Sequence, residues 1–147
     1  MRAARIILLL ALVLLALAQV VPVARQNPPV VADLHAPPAV ADTLREACYD
    51  CHSHETRWPW YARVAPVSWL LAHDVNEGRE HLNFSTWGTL GPRKRVRLLG
   101  KIAEDVEEGE MPPWLYTLPH PTARLAAPER QALIAWARSE AQAADIR

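Results

Sequence analysis

The chain has 147 residues, with 16 Lys and Arg against 16 Asp and Glu; half of its residues are apolar and 22% are charged. That length allows one domain and hardly two, and the apolar share excludes a wholly disordered chain. Zero net charge gives no general attraction to nucleic acid, and 2 Cys exclude a multi-disulfide scaffold.

At the N-terminus Arg2 and Arg5 precede an apolar run from Ile6 to Ala18, and Ala16-Leu17-Ala18 matches the small-x-small cleavage pattern of an export signal. A buried core helix is a poor reading of this run, because a small domain cannot cover a helix that has no polar face. The run is short for a bilayer span, which needs roughly 20 residues, but it resumes past Gln19 to Val23. Residues 1–24 are therefore read as a signal peptide or a membrane anchor, the second attaching through residues 6–23. Either way Arg2 and Arg5 stay inside. The rest is expected on the periplasmic side of the cytoplasmic membrane, anchored there or released after cleavage.

Residues 25–41 carry Pro28, Pro29, Pro37 and Pro38 with little periodicity, which predicts an extended tether. Residues 42–141 form the domain. A short helix is expected from about Val40 to Ala47. A second opens at Pro66 with Trp69, Leu70 and His73 on one face and Gly78 near its end. A third runs from Pro92 to Glu108 with Val96, Leu99, Ile102, Ala103 and Val106 as its stripe, closed by Gly109. The last starts at Pro128 and carries Leu133, Ile134, Trp136 and Ala137. No stretch alternates with period two, so the fold class is all-α. Such a small core often needs a disulfide, a metal or a cofactor. The six tryptophans are many for this length and suit the walls of a pocket for a large flat ligand.

Cys48-Tyr49-Asp50-Cys51-His52 is C-x-x-C-H, the attachment pentad of c-type haem. Two thiols about one helical turn apart can each add to a vinyl group on the same porphyrin edge, and the next residue, His52, can then ligate the iron. The rival readings are weaker. A Cys48–Cys51 disulfide closes a tiny loop and stabilises little; a thioredoxin-like pair wants a βαβ context; a zinc site lacks its second Cys pair. The expected cofactor is one covalent haem c.

Met111, the one methionine after the initiator, lies in Gly109-Glu110-Met111-Pro112-Pro113-Trp114. A thioether suits haem iron and raises its potential, and the two prolines stiffen the backbone behind it. Met111 is the candidate distal ligand, against the alternative of a gap-filling core methionine. His54, His73, His81 and His120 are the rival ligands, and bis-histidine ligation stays open. His73 reads as a core or supporting histidine, His81 and His120 as solvated.

These residues resemble the small bacterial haem-binding domain family, exported proteins related to c-type cytochromes. The resemblance rests on Ala47–Trp69 (ACYDCHSHETRWPWYARVAPVSW), Asn76–Trp87 (NEGREHLNFSTW), Gly109–Tyr116 (GEMPPWLY) and the helix beyond Ala126. It implies a c-type haem on Cys48, Cys51 and His52, with Met111 matching the sixth ligand. The order of parts also resembles the class I cytochrome c fold, implying a small helical domain around the covalent haem, its first and last helices packed together.

Three further expectations follow. A carbonyl between Pro59 and Pro66 should accept the remaining N–H of His52. Arg57, Trp58, Trp60, Tyr61 and Arg63 are placed to bond haem propionates. The acidic end of the third helix, Glu104 to Glu108, is either a solvated face or a docking patch for a basic redox partner. Taken together, the chain reads as a one-electron carrier rather than an enzyme, working with periplasmic or membrane redox proteins. The alternatives are a haem-based gas or redox sensor or a small peroxidase-like enzyme with an open sixth site, and a structural or maturation partner in a respiratory complex.

Overall fold

The computed structural model describes residues 1–145, and among them there is no strand. Helix α1 (Arg2–Ala18) has 17 residues, none buried. At 1.5 Å per residue it is about 26 Å long, against a bilayer core of about 30 Å. No helix of the described residues is long and apolar enough to cross a membrane. The helix stops where the sequence first turns polar: the Gln19 side chain donates back to the Leu15 carbonyl at 2.9 Å and also pairs reciprocally with the backbone of Ala65, accepting from its N–H at 3.0 Å and donating to its carbonyl at 3.3 Å.

Residues 25–36 are extended, as the prolines require, but they are laid along the domain as a strap, not held off it as a free tether. Val31 and Ala32 donate to the Ser85 carbonyl, Leu34 donates to that of Phe84, and Gly88 donates to that of Ala32. Leu34 is buried in the core. The reason is legible only with the partner present: an extended segment without its own hydrogen bonds satisfies them on whatever backbone lies beside it.

Helix α2 (Pro38–Ala47) starts with proline in its first turn and buries Val40, Leu44 and Ala47, spaced by four and three residues. It leads directly into α3 (Tyr49–His52). Helix α4 (Val67–His81) follows a short turn at Trp60–Arg63. Its buried face is Ser68, Ala72 and Val75, while Trp69, Leu70 and His73 are exposed. The expected face is therefore wrong by rotation. Small side chains, not large ones, face the neighbours because α4 packs close against α3 and the Trp60–Arg63 turn.

Helix α5 (Pro92–Glu108) buries Leu98, Leu99, Ile102, Ala103 and Val106 and ends at Gly109 in the left-handed region, φ 77°. This agrees with the sequence reading except that Leu98 is buried where Val96 is only half-buried. Only glycine takes that φ without strain. After α6 (Trp114–Thr117) comes α7 (Ala127–Asp145), opened by Glu129 reaching back to the Ala126 N–H at 2.8 Å, half of a capping box. Leu133 and Ala137 are fully buried and Trp136 nearly so.

Helices α5 and α7 form the main packed pair, and α2 lies across α7. Leu44, Tyr49, Phe84, Trp87, Leu99, Ile102, Leu133 and Trp136 share one apolar cluster. Each such large side chain contributes about 1.5–3 kcal/mol on full burial. The contact of first and last domain helices matches the arrangement that the resemblance implied.

Candidate functional site

The pentad sits where α2 hands over to α3. Cys48 ends one helix and starts the next: its N–H donates to Leu44, and its carbonyl accepts from Cys51 at 3.2 Å and His52 at 2.9 Å. One helical turn thus carries Cys48, Cys51 and His52 on the same short element. Both thiols are free, half-buried and unbridged, so the disulfide alternative is not what this geometry holds. Burial pushes the Cys48 thiol up to about 12 and that of Cys51 up to about 11, which keeps both protonated at neutral pH.

His52 is oriented from α4. Its Nδ1 lies 2.9 Å from the Gly78 carbonyl and 3.1 Å from that of Leu82. Carbonyls only accept, so Nδ1 carries the proton and Nε2 keeps its lone pair. Nε2 takes no hydrogen bond from any described residue. These two carbonyls replace the expected one between Pro59 and Pro66. A carbonyl oxygen has two lone pairs, so that of Gly78, which already accepts from the Leu82 N–H at 2.9 Å, takes the imidazole N–H as well, while the Ala62 carbonyl accepts from Arg25. Burial also lowers the imidazole pKa, against the two carbonyl bonds that raise it, so His52 is neutral and fit to donate its lone pair. Phe84 stands edge-on behind the ring at 6.3 Å, itself stacked on Tyr49 at 5.0 Å.

Of the rival histidines, His54, His73 and His120 have partners elsewhere. The Nδ1–H of His54 donates to Pro29 at 2.8 Å while its Nε2 accepts from Asn83 at 2.8 Å. His73 is exposed and pairs with Glu77 at 3.5 Å, so it is neither core nor support. His81 is exposed. His120, expected to be solvated, is half-buried and stacked on Tyr116 at 4.4 Å, with Nδ1 donating to the Tyr116 carbonyl and Nε2 accepting from the Tyr61 hydroxyl.

Met111 reaches the same core from the other side of the chain. The Asp105 carbonyl accepts from Gly109, Glu110 and Met111, which ties the residue to the end of α5. The side chain packs partly buried on the apolar cluster, as does Cys48. It borders a cleft of about 350 Å3 with Trp114, Thr117, Leu125 and Arg130. The pentad residues do not line that cleft.

Two polar residues missed in the sequence hold the site. Asp50, 7% exposed, accepts from the Arg57 N–H at 2.8 Å, from the Arg57 guanidinium on both oxygens at 3.2 Å, and from the Tyr116 hydroxyl at 2.8 Å. Arg57 also meets Glu46 at 3.3 Å. Its guanidinium is therefore spent within the protein and is not a propionate donor; the Asp50 hydrogen bond raises its pKa further. Arg79 bonds Ser53 O, Gln26 O, Asn27 Oδ1 and Thr56 Oγ1 at 2.7–2.9 Å, pinning the strap and the segment after the pentad onto α4. No helical or strand periodicity marks either residue: Arg57 lies seven residues from Asp50, and Tyr116 and all the partners of Arg79 lie more than twenty residues away. At the acidic end of α5, Lys101 pairs with Glu104 and Asp105, and Arg138 with Glu107. Two cations thus offset about half of the four carboxylates from Glu104 to Glu108.

The donor set fits a haem: two free thiols one turn apart, and a neutral imidazole whose Nε2 is left unbonded. The apolar surface fits as well. Trp87 and Trp136 are core, but Trp60, Trp69 and Trp114 are exposed. They lie on the turn packed against α4, on α4 itself, and on α6, elements tied to the pentad by packing or by the Tyr116–Asp50 bond. No curated protein and no solved structure matches the chain. The model of a haem-binding domain matches residues 12–139, from the second half of α1 through the strap and α2–α6 into α7. On that match the chain belongs to the haem-binding domain family.

Proposed function

We propose that the chain is a monohaem electron carrier of the c type on the periplasmic side, with haem c joined through Cys48 and Cys51 and iron held by His52 and Met111. The observation that carries this reading is the commitment of His52 Nδ1 to Gly78 and Leu82, which presents Nε2 as the free donor beside two free thiols. When bound, haem supplies a one-electron ferric/ferrous couple.

The chain's own residues bind, orient and shield it. Cys48 and Cys51 would hold the group as thioethers, an addition of S–H to vinyl that would consume no oxidant. The carbonyls at Nδ1 fix the ring plane and raise imidazole basicity. The thioether of Met111 is a soft donor that favours the reduced state. Its loop is stiffened by Pro112 and Pro113 and anchored on Asp105, so little entropy is lost on holding the sulfur in place. No substrate bond is made or broken, and the partners are periplasmic or membrane redox proteins.

The test is a set of visible spectra, ferric and ferrous, with and without carbon monoxide, on wild type and Met111→Ala. The expected result is a low-spin wild type in both states that forms no carbon monoxide adduct, and a variant that does. A high-spin wild type that takes up carbon monoxide readily would replace the carrier with a sensor or peroxidase reading.

A further inference from the structure

We propose that the Tyr116–Asp50 hydrogen bond is the latch that holds Met111 in ligating position, making Tyr116 and Asp50 positioning residues for the sixth ligand. The inference rests on the His52/Met111 reading above. Asp50 lies inside the pentad, between the two thiol-bearing residues, and its carboxylate is buried. Arg57 occupies it from one side, through the backbone N–H at 2.8 Å and the guanidinium at 3.2 Å; the Tyr116 hydroxyl closes the other side at 2.8 Å. Among the described residues this is the one side-chain hydrogen bond that joins the loop after α5 to the pentad.

Tyr116 follows Met111 by five residues, and what lies between is rigid. Pro112 and Pro113 restrict the backbone, and the Pro113 carbonyl accepts from Tyr116 at 3.0 Å and Thr117 at 3.1 Å to form α6. The phenol is braced from behind. Its ring stacks on His120 at 4.4 Å, and His120 in turn accepts from Tyr61 at 3.1 Å. Met111 is thus held twice: ahead of it by its N–H on Asp105 at 3.1 Å, and behind it by the phenol on Asp50. The second hold ties the distal side of the site to the proximal turn. A hydrogen bond to a buried charged acceptor is stronger than one between neutral groups, and leaving that acceptor short of a donor is costly. Removing the hydroxyl therefore lets the loop swing and the thioether leave more often.

The experiment uses the full-length holoprotein as wild type, Tyr116→Phe, Asp50→Asn and Thr122→Val. The first substitution keeps the ring on His120. The last removes the Thr122–Glu46 bond, which ties the same loop to α2 but not to the pentad. Read-outs are the weak far-red band of methionine-ligated ferric haem and the carbon monoxide affinity of the ferrous state, with haem content measured alongside. Tyr116→Phe should weaken or abolish the band and raise carbon monoxide affinity about tenfold to a hundredfold. Asp50→Asn should move both in the same direction, and Thr122→Val should match wild type. A Tyr116→Phe protein that keeps the band and binds carbon monoxide within about twofold of wild type overturns the latch, whatever becomes of Asp50→Asn. A wild type without the band, indistinguishable from Met111→Ala, overturns the ligand assignment itself and the latch with it.

Discussion

Gly78 on α4 backs so closely onto Cys51 that a Cβ at Gly78 would lie 2.8 Å from the Cys51 backbone oxygen. The same glycine offers its carbonyl to His52 Nδ1 at 2.9 Å. One residue without a side chain thus permits both the close approach of α4 to the pentad and the orientation of the imidazole. Gly78→Ala is expected to cost about 1–3 kcal/mol, as overpacking does, and to lower the haem-to-protein ratio. Thermal unfolding and absorbance at matched protein concentration check both; an alanine variant with full haem content and unchanged melting would refute the role.

Arg79, next along α4, is a structural clamp. Its guanidinium bonds four acceptors, two of them on the strap. Arg79→Ala should destabilise the protein by about 2–4 kcal/mol, and Arg79→Lys should recover little of that, since an ammonium cannot reproduce the planar fork. Faster proteolysis within residues 25–36 would accompany the loss. Denaturant melts and limited digestion with mass spectrometry measure it; a lysine variant as stable as wild type would count against the clamp.

The pentad thiols give a pH prediction. Burial raises them to about 12 for Cys48 and about 11 for Cys51, from an ordinary 9.0. The thiolate is the reactive form, so a raised pKa means less of it at any pH below these values. In haem-free native chain at pH 8, alkylation should run about a hundredfold slower at Cys51 and about a thousandfold slower at Cys48 than in urea. Both rates should climb about tenfold per pH unit until each thiol's own value is reached. Equal rates in buffer and in urea would contradict the burial argument.

Leu133 of α7 has no exposed surface and stands in the α5–α7 interface that carries the core. Leu133→Ala should cost about 2–5 kcal/mol without altering the visible spectrum of the protein that remains folded. Chemical denaturation followed by fluorescence and by haem absorbance separates the two effects.

Long elements were legible in the sequence because their signals are local. Pro92 at the start of α5, its apolar stripe and Gly109 at its end all lie within one helix, as do the buried residues of α7. The pentad was legible for the same reason: its chemistry is fixed by spacing over five residues. The strap was not, because Leu34, Val31 and Ala32 find their partners near Ser85, about fifty residues away. The buried face of α4, Ser68, Ala72 and Val75, is hard to read because close packing selects small side chains, while the larger Trp69 and Leu70 that dominate hydrophobicity face outward. Arg57 reads from the sequence as a propionate donor, but Asp50, buried seven residues before it, takes both its backbone N–H and its guanidinium. Distal contacts decide such cases, and a one-dimensional pattern does not hold them.

The measurement that tests the account most directly is the intact mass of protein matured in a host that attaches c-type haem, before and after acid–organic extraction, compared with Cys48→Ala/Cys51→Ala. The account predicts a wild-type mass of chain plus one haem that survives extraction, and a double variant of chain mass alone. A wild type at chain mass, with its pigment in the organic phase, would contradict it.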